Sequence, residues 1–133
     1  MKFARRVFLG AGVWGMAVLT PMYFLFDAIG RQNRSPITYP QFYYGFLAVT
    51  IAWQLAFLVI GSDPVRFRPL MIPSMVEKFY TVLSMATLFV QGRIVLTDMI
   101  VISPDLALGI LFVIAFAKTS PAAVTIDYAR AWQ

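Results

Sequence analysis

Four long stretches of apolar residues dominate the chain, and each is bounded by charged residues, glycine or proline. They cover residues 7–30, 41–61, 70–91 and 97–118. A helix needs about 20 residues to cross roughly 30 Å of hydrocarbon, so each stretch is long enough to span a bilayer. The pattern therefore predicts four transmembrane helices in one domain, followed by a short C-terminal tail over residues 119–133.

The first stretch also resembles an export signal, because Arg5 and Arg6 precede Val7, Phe8 and Leu9 as in a twin-arginine motif. We favour a membrane span for two reasons. The apolar run is longer than the core of a typical signal peptide, and no small-residue cleavage site follows it.

The fourth stretch contains Pro104, which leaves two interpretations. Residues 97–118 form either one span bent at the proline, or a shorter helix that opens at Ser103 and cannot cross alone. We favour the single bent span, because its length suits a membrane and neighbouring groups can satisfy the carbonyl that the proline frees.

Composition agrees with a lipid environment and excludes much chemistry. The chain is 60% hydrophobic and 13% charged, with a mean hydropathy of +0.76, whereas soluble domains are near 45–50% apolar and about 25% charged. With no histidine and no cysteine, the common haem ligands, zinc sites, dithiol pairs and imidazole bases are missing. We therefore predict no metal, no cofactor and no enzymatic activity.

The net charge of +5 predicts topology rather than nucleic-acid binding, because the basic residues stand at the ends of the apolar stretches. Seven lie on the side of the two termini, namely Lys2, Arg5, Arg6, Arg66, Arg68, Lys118 and Arg130. Three lie on the opposite side, namely Arg31, Arg34 and Arg93. The excess predicts both termini in the cytoplasm of a bacterial inner membrane. Short loops between the spans then predict an all-α fold, an integral membrane antiparallel four-helix bundle.

The third stretch carries a polar arc of roughly 140° at 100° per residue. Its members are Ser74, Glu77, Lys78, Thr81, Ser84 and Gln91. Charged groups inside a membrane are costly, so the arc should face the bundle interior. Counting residues inward from the ends of the other stretches brings Gln54 and Asp105 to a similar depth. The sequence therefore predicts a buried polar cluster of Gln54, Glu77, Lys78 and Asp105, which is either a structural lock on helix register or the charged layer of a polar pocket.

Aromatic residues concentrate where the first stretch ends and the second begins. They are Tyr23, Phe24, Phe26, Tyr39, Phe42, Tyr43 and Tyr44. An aromatic belt at the membrane surface explains most of them. A docking patch for a lipophilic ligand or another subunit is the sharper alternative.

Small residues recur at spacings that allow helices to approach closely. They are Ala11 and Gly15 in the first stretch, Ala48, Ala52 and Ala56 in the second, and Gly109 with Ala115 in the fourth. We predict packing within the chain at these positions, in preference to a dimer interface.

Residues 63–79 combine a turn that contains Arg66, Arg68 and Pro69 with a lysine at position 78, and an acidic residue, Asp98, begins the fourth stretch. This pattern resembles small four-span bacterial membrane proteins of the DoxX-like group. The resemblance covers about half of the chain. It implies a four-helix bundle that associates with redox partners or larger membrane assemblies, and little about activity.

Two functions follow from these observations. The first is a non-catalytic subunit or assembly partner of a larger bacterial membrane complex, with other membrane subunits and lipids as partners. The second is a small carrier or binder of a polar or lipophilic solute, which would use the layer of Glu77, Lys78 and Asp105. A scaffold should tolerate the joint replacement of these charges, whereas a carrier should not.

Overall fold

The computed structural model describes residues 2–28 and 39–120. Helices form nearly all of this part of the chain, and no strand occurs within it. The α-helices are α1 (Lys2–Met22), α2 (Pro40–Ser62), α3 (Met71–Val90) and α4 (Leu96–Lys118), and a 3-10 turn (Arg68–Leu70) leads into α3. The expected all-α class is therefore confirmed.

The first helix differs from the predicted bounds of 7–30 at both ends. It begins at Lys2, among the basic residues, and it ends at Met22. Pro21 lies in its last turn, and the next backbone N–H groups, those of Tyr23 and Phe24, bond to carbonyls three residues back. This tighter turn ends the helix eight residues before the position expected from hydrophobicity alone. The predicted tail lies outside the described residues from position 121 onward.

The last helix runs through Pro104 without a break. A proline within a helix leaves the carbonyl four residues back without its usual donor. Here that carbonyl belongs to Ile100, and the Ser103 hydroxyl donates to it at 2.7 Å. Ser103 was the start of a short helix in the alternative interpretation. It instead lies inside α4 and donates the hydrogen bond that Pro104 cannot.

Helices α1 and α2 form one antiparallel hairpin whose contact depends on glycines. A Cβ atom at Gly12 would come to 2.7 Å from Leu58, and one at Gly61 would come to the same distance from Leu9. The backbones can approach this closely only because no side chain is present. Ala48 and Ala52 are exposed on the other side of α2, so the prediction that they pack within the chain is wrong.

Helices α3 and α4 form the second hairpin, and the two hairpins meet in a core at one end of the molecule, which we call the closed end. There α1 and α3 begin and α2 and α4 end. The core residues are Ala4, Phe8, Ala11, Phe57, Ile60, Met71, Phe112 and Ala115. Phe8 stacks on Phe112 at a ring-centroid distance of 4.3 Å, and Phe57 meets Phe112 edge-on at 5.0 Å. Three helices are thus joined through one cluster of rings.

The opposite end, where α1 and α3 end and α2 and α4 begin, we call the open end. Leu47 on α2 is fully buried there, but it does not belong to the core cluster of the closed end. In addition, α2 and α3 make little contact along their length. The two hairpins are therefore joined at one end only.

Among the described residues, α2 and α4 are each long and apolar enough to cross a membrane. Only 28% of the most apolar window of α2, and 17% of that of α4, is buried inside the molecule. Helix α1 includes Arg5 and Arg6, and α3 includes Glu77 and Lys78, which lower the hydropathy of both. Large apolar side chains are exposed on all four helices, and contiguous apolar surface of this extent is typical of contact with lipid or another protein.

Candidate functional site

Lys78 is the centre of the buried charges. It lies on α3 with 4% of its surface exposed. Its ammonium nitrogen is 2.6 Å from Asp105 Oδ1 on α4 and 3.2 Å from Glu77 Oε2 on its own helix. It also lies 5.4 Å from the ring centroid of Phe57 on α2. One cation therefore connects α3 with α4 and faces an aromatic ring on α2.

A glycine on α4 explains how the two charged helices come so close. A Cβ at Gly109 would lie 3.3 Å from the Phe79 ring and 3.4 Å from Lys78 Cβ. The two helices are therefore near van der Waals contact at this level. Asp105 is one helical turn from Gly109 on the same face, so its carboxylate reaches the lysine directly.

The three charges do not cancel. Glu77 and Asp105 contribute two carboxylates against one ammonium, which leaves a formal net charge of −1 if all three are ionised. Glu77 Oε2 is buried and receives no aligned hydrogen bond, although the lysine is within ion-pair distance. The Asp105 side chain is 26% exposed. The cluster can therefore accept further hydrogen bonds or positive charge.

A cavity of about 480 Å³ lies between the hairpins and extends from this cluster toward the open end. Its apolar wall includes Trp14, Val18, Met22, Phe46, Met85 and Val101. Its polar residues are Thr50, Gln54, Glu77, Lys78, Thr81 and Asp105. All four helices contribute. A mainly apolar cavity of this size with a few convergent polar groups is typical of a binding site for a small molecule.

Gln54 lines the same cavity but does not bond to the charges. Its side-chain amide donates to the Thr50 carbonyl of its own helix at 3.2 Å, and its side chain occupies the space beside Gly15, where a Cβ would overlap it. The structure thus brings together all four members of the predicted polar cluster, with Gln54 on the wall and the charges beside it.

The polar arc of α3 faces inward only in part. Ser74 and Lys78 are buried, but Ser84 and Gln91 near the end of the helix are exposed. The expectation that the whole arc faces the interior is therefore wrong for those two residues. Because the hairpins do not pack at the open end, no helix of the first hairpin covers the end of α3.

The predicted aromatic patch separates into two sets. Four rings pack on one another where α1 ends, with Tyr23 and Phe26 at 5.1 Å from Tyr44 and Tyr43 respectively. The Tyr43 hydroxyl donates to the Met22 carbonyl at 2.6 Å. These contacts join the two helices of the first hairpin. The other three rings, Phe24, Tyr39 and Phe42, are 82%, 60% and 73% exposed.

The apolar wall of the cavity has no distinctive pattern in the sequence. Trp14, Val18 and Met22 recur every four residues, which is the spacing of one helical face. This pattern alone does not distinguish a cavity wall from a packed core. Within residues 2–28 and 39–120, no acidic residues gather in a group of three that could hold a metal ion.

Comparison with known protein families, with curated proteins and with solved structures gave no match to this chain. The resemblance to the DoxX-like group therefore stays a prediction.

Proposed function

We propose that this protein is a four-span membrane bundle that binds a small amphipathic molecule in the cavity between its hairpins. The observation that carries the proposal is the cavity of about 480 Å³, which has apolar walls and an ion-paired cluster at one side. Pockets of roughly 300–1,000 Å³ suit small molecules, and a few polar groups orient the ligand while apolar walls supply most of the contact.

A membrane environment supports this function. The exposed apolar surface of α2 and α4 would face lipid, and the charges of α3 would then be turned toward the other hairpin. In this arrangement α1 and α3 complete the bundle as two further spans. The basic residues at the closed end support an orientation in which that end, and with it the N-terminus and the end of α4, faces the cytoplasm of a bacterial inner membrane.

The proposed role is binding or carriage, and not catalysis. Lys78 is engaged in ion pairs with two carboxylates, so it is not placed to act as a nucleophile. The Thr50 and Thr81 hydroxyls donate to carbonyls of their own helices. Neither threonine has a neighbouring base in these contacts that would activate it.

Filling the cavity tests the proposal. Val101→Trp enlarges a side chain that lines the cavity, and Ile100→Trp is the control, because Ile100 is similarly exposed but does not line the cavity. The probe is 5-(dansylamido)pentan-1-ol, which is neutral and amphipathic. Its binding is measured by equilibrium dialysis of purified protein in detergent against protein-free micelles of the same detergent.

The wild type and Ile100→Trp should retain the probe above the micelle background, and Val101→Trp should lose at least about tenfold in affinity. Equal retention by both variants would show that the probe binds to the outer surface, and the cavity would then not be the site.

An accessory subunit of a larger membrane complex is the second candidate. It is supported by the exposed rings of Phe24, Tyr39 and Phe42 beside a packed aromatic cluster. Aromatic residues are enriched at the centres of protein interfaces. A photo-crosslinking residue at Phe42 should capture a membrane protein if this surface docks a subunit. Crosslinks to lipid alone would favour the belt interpretation.

A further inference from the structure

The hydrogen bonds around the cavity show which kind of ligand it suits. Both hydroxyl protons are already used, because Thr50 donates to the Phe46 carbonyl at 2.7 Å and Thr81 donates to the Glu77 carbonyl at 2.9 Å. Each hydroxyl oxygen therefore presents lone pairs and no proton. The two threonines lie on opposite hairpins, so acceptors face the cavity from both sides.

The remaining polar atoms are also mainly acceptors. Asp105 Oδ2 and Gln54 Oε1 accept no hydrogen bond from any residue that the structure describes. Lys78 is a donor, but it is engaged by two carboxylates and faces the Phe57 ring. Apart from the second N–H of the Gln54 amide and the indole N–H of Trp14, the cavity offers acceptors to a ligand.

Charge leads to the same conclusion as the hydrogen bonds. The cluster carries a formal net charge of −1 when all three groups are ionised, and the described residues that line the cavity include no further cation. An isolated negative charge in a membrane is costly, and a bound cation would offset it. An anion would add to the excess charge and would find few donors.

The apolar wall adds a requirement for the rest of the ligand. Trp14 and Phe46, which are each 59% exposed, line the cavity from α1 and α2. Aromatic faces attract cations and pack on apolar groups. The ligand should therefore have an apolar body next to its charged head.

We infer that the cavity binds an amphipathic organic amine in its protonated form. Its ammonium head donates to Asp105 and Glu77, and its apolar body lies between Trp14 and Phe46. This inference rests on the proposed function and adds the chemical class of the ligand.

Three probes of nearly equal size test the inference. Each has a dansyl group on a five-carbon chain that ends in an amine, an alcohol or a carboxylate, namely dansylcadaverine, 5-(dansylamido)pentan-1-ol and 5-(dansylamido)pentanoate. Binding to the purified full chain in a neutral detergent at neutral pH is followed by energy transfer from tryptophan to dansyl. The part of the signal that is lost in Trp14→Phe reports occupancy near the cavity wall.

The amine should bind at least about tenfold more tightly than the alcohol, because hydrogen bonds between an ammonium and a carboxylate are charge-assisted. The carboxylate should bind least. Glu77→Gln removes the net charge but leaves the 2.6 Å pair of Lys78 with Asp105 in place. In this variant the preference for the amine over the alcohol should fall at least about fivefold.

Asp27→Asn is the matched control, since it removes one negative charge from an exposed position near the end of α1. It should leave the amine preference unchanged. If Asp27→Asn reduces the preference as much as Glu77→Gln does, the effect comes from the overall charge of the protein and the inference is wrong.

Two outcomes separate this inference from the proposed function. Equal, Trp14-dependent binding of the amine and the alcohol, or tighter binding of the carboxylate, would keep the cavity as a binding site and overturn the amine. Failure of all three probes to give a Trp14-dependent signal would overturn both.

Discussion

The closed end and the open end are built from the same four helices, yet only the closed end has a packed core. At the closed end, alanines allow close approach and the rings of Phe8, Phe57 and Phe112 fill the space between three helices. At the open end, large apolar residues such as Met22 and Met85 face a cavity. Both ends are apolar, so hydrophobicity does not explain the difference.

The position of the charges offers an explanation. Glu77, Lys78 and Asp105 all lie on α3 and α4, so the ion pairs hold the second hairpin together. Of the polar side chains around the same cavity, the first hairpin contributes Thr50 and Gln54, and neither is charged. The ion pairs therefore act within one hairpin and not between the two. In a membrane, where lipid solvates apolar side chains as well as other helices do, little else would close the gap.

Thiol labelling tests the proposed orientation of the two ends. Val65→Cys places a thiol beside the closed end, and Gln91→Cys places one at the open end. Both positions are exposed, and the chain has no native cysteine. If the closed end is cytoplasmic, a thiol reagent that cannot enter intact cells should label Gln91→Cys and not Val65→Cys. The opposite pattern would invert the proposed topology.

Removing the central cation should have the largest effect on stability. Lys78→Met leaves Glu77 and Asp105 without a counter-charge, which should cost about 3–5 kcal/mol. Replacing all three charges together by apolar residues should be nearly neutral. The measurement is the unfolding midpoint in detergent. Lys118→Met, whose ammonium lies over the Phe3 ring at 4.6 Å, is the control and should cost at most about 1 kcal/mol. A harmless Lys78→Met would contradict the pairing.

Truncating one ring at each end tests the contrast in packing. Phe112→Ala removes a fully buried ring that stacks on Phe8. Phe-to-Ala changes in soluble cores cost about 3–5 kcal/mol, and since part of this is transfer from water, about 2 kcal/mol is expected in a membrane. Phe46→Ala at the cavity wall should cost less than about 1 kcal/mol. Equal losses in unfolding midpoint would mean that the open end is packed as well.

Alanine substitutions at two glycines of α1 should have smaller effects on stability. A Cβ at Gly15 would overlap the Gln54 side chain, whereas a Cβ at Gly10 meets nothing within 4 Å. Gly15→Ala should therefore destabilise by about 1 kcal/mol because Gln54 must move. Gly10→Ala should stabilise by up to about 1 kcal/mol through its higher helix propensity. Effects of the same sign in thermal unfolding would show that Gln54 does not pack against Gly15.

Several features of the site followed from local sequence. The 100° period of α3 placed Lys78 on an inward face, and the cost of a charge among apolar residues indicated that it would have a partner. The partner was expected to be Glu77 or Asp105, and the lysine contacts both. Residue counting brought Gln54 to the same level. These inferences succeeded because helix geometry converts sequence spacing directly into direction and height.

Other features depended on interactions that spacing does not contain. Ala48 and Ala52 have the small-residue spacing of a packed interface, but α2 turns that face outward because Gly61 and Leu58 pack on α1 instead. Similarly, the apolar run continues past Met22, yet Pro21 and the turn after it end the helix. A helix has several faces that could pack, and the choice among them is made by its neighbours.

The helices, their approximate lengths and the need to pair the charges were therefore present in the amino-acid pattern, because periodicity and the cost of burying charge act locally along each helix. The cavity was not. It exists because the rings at the closed end join the hairpins while all three charges lie on one of them. That arrangement is a property of how the four helices meet, which the spacing of residues along each helix does not contain.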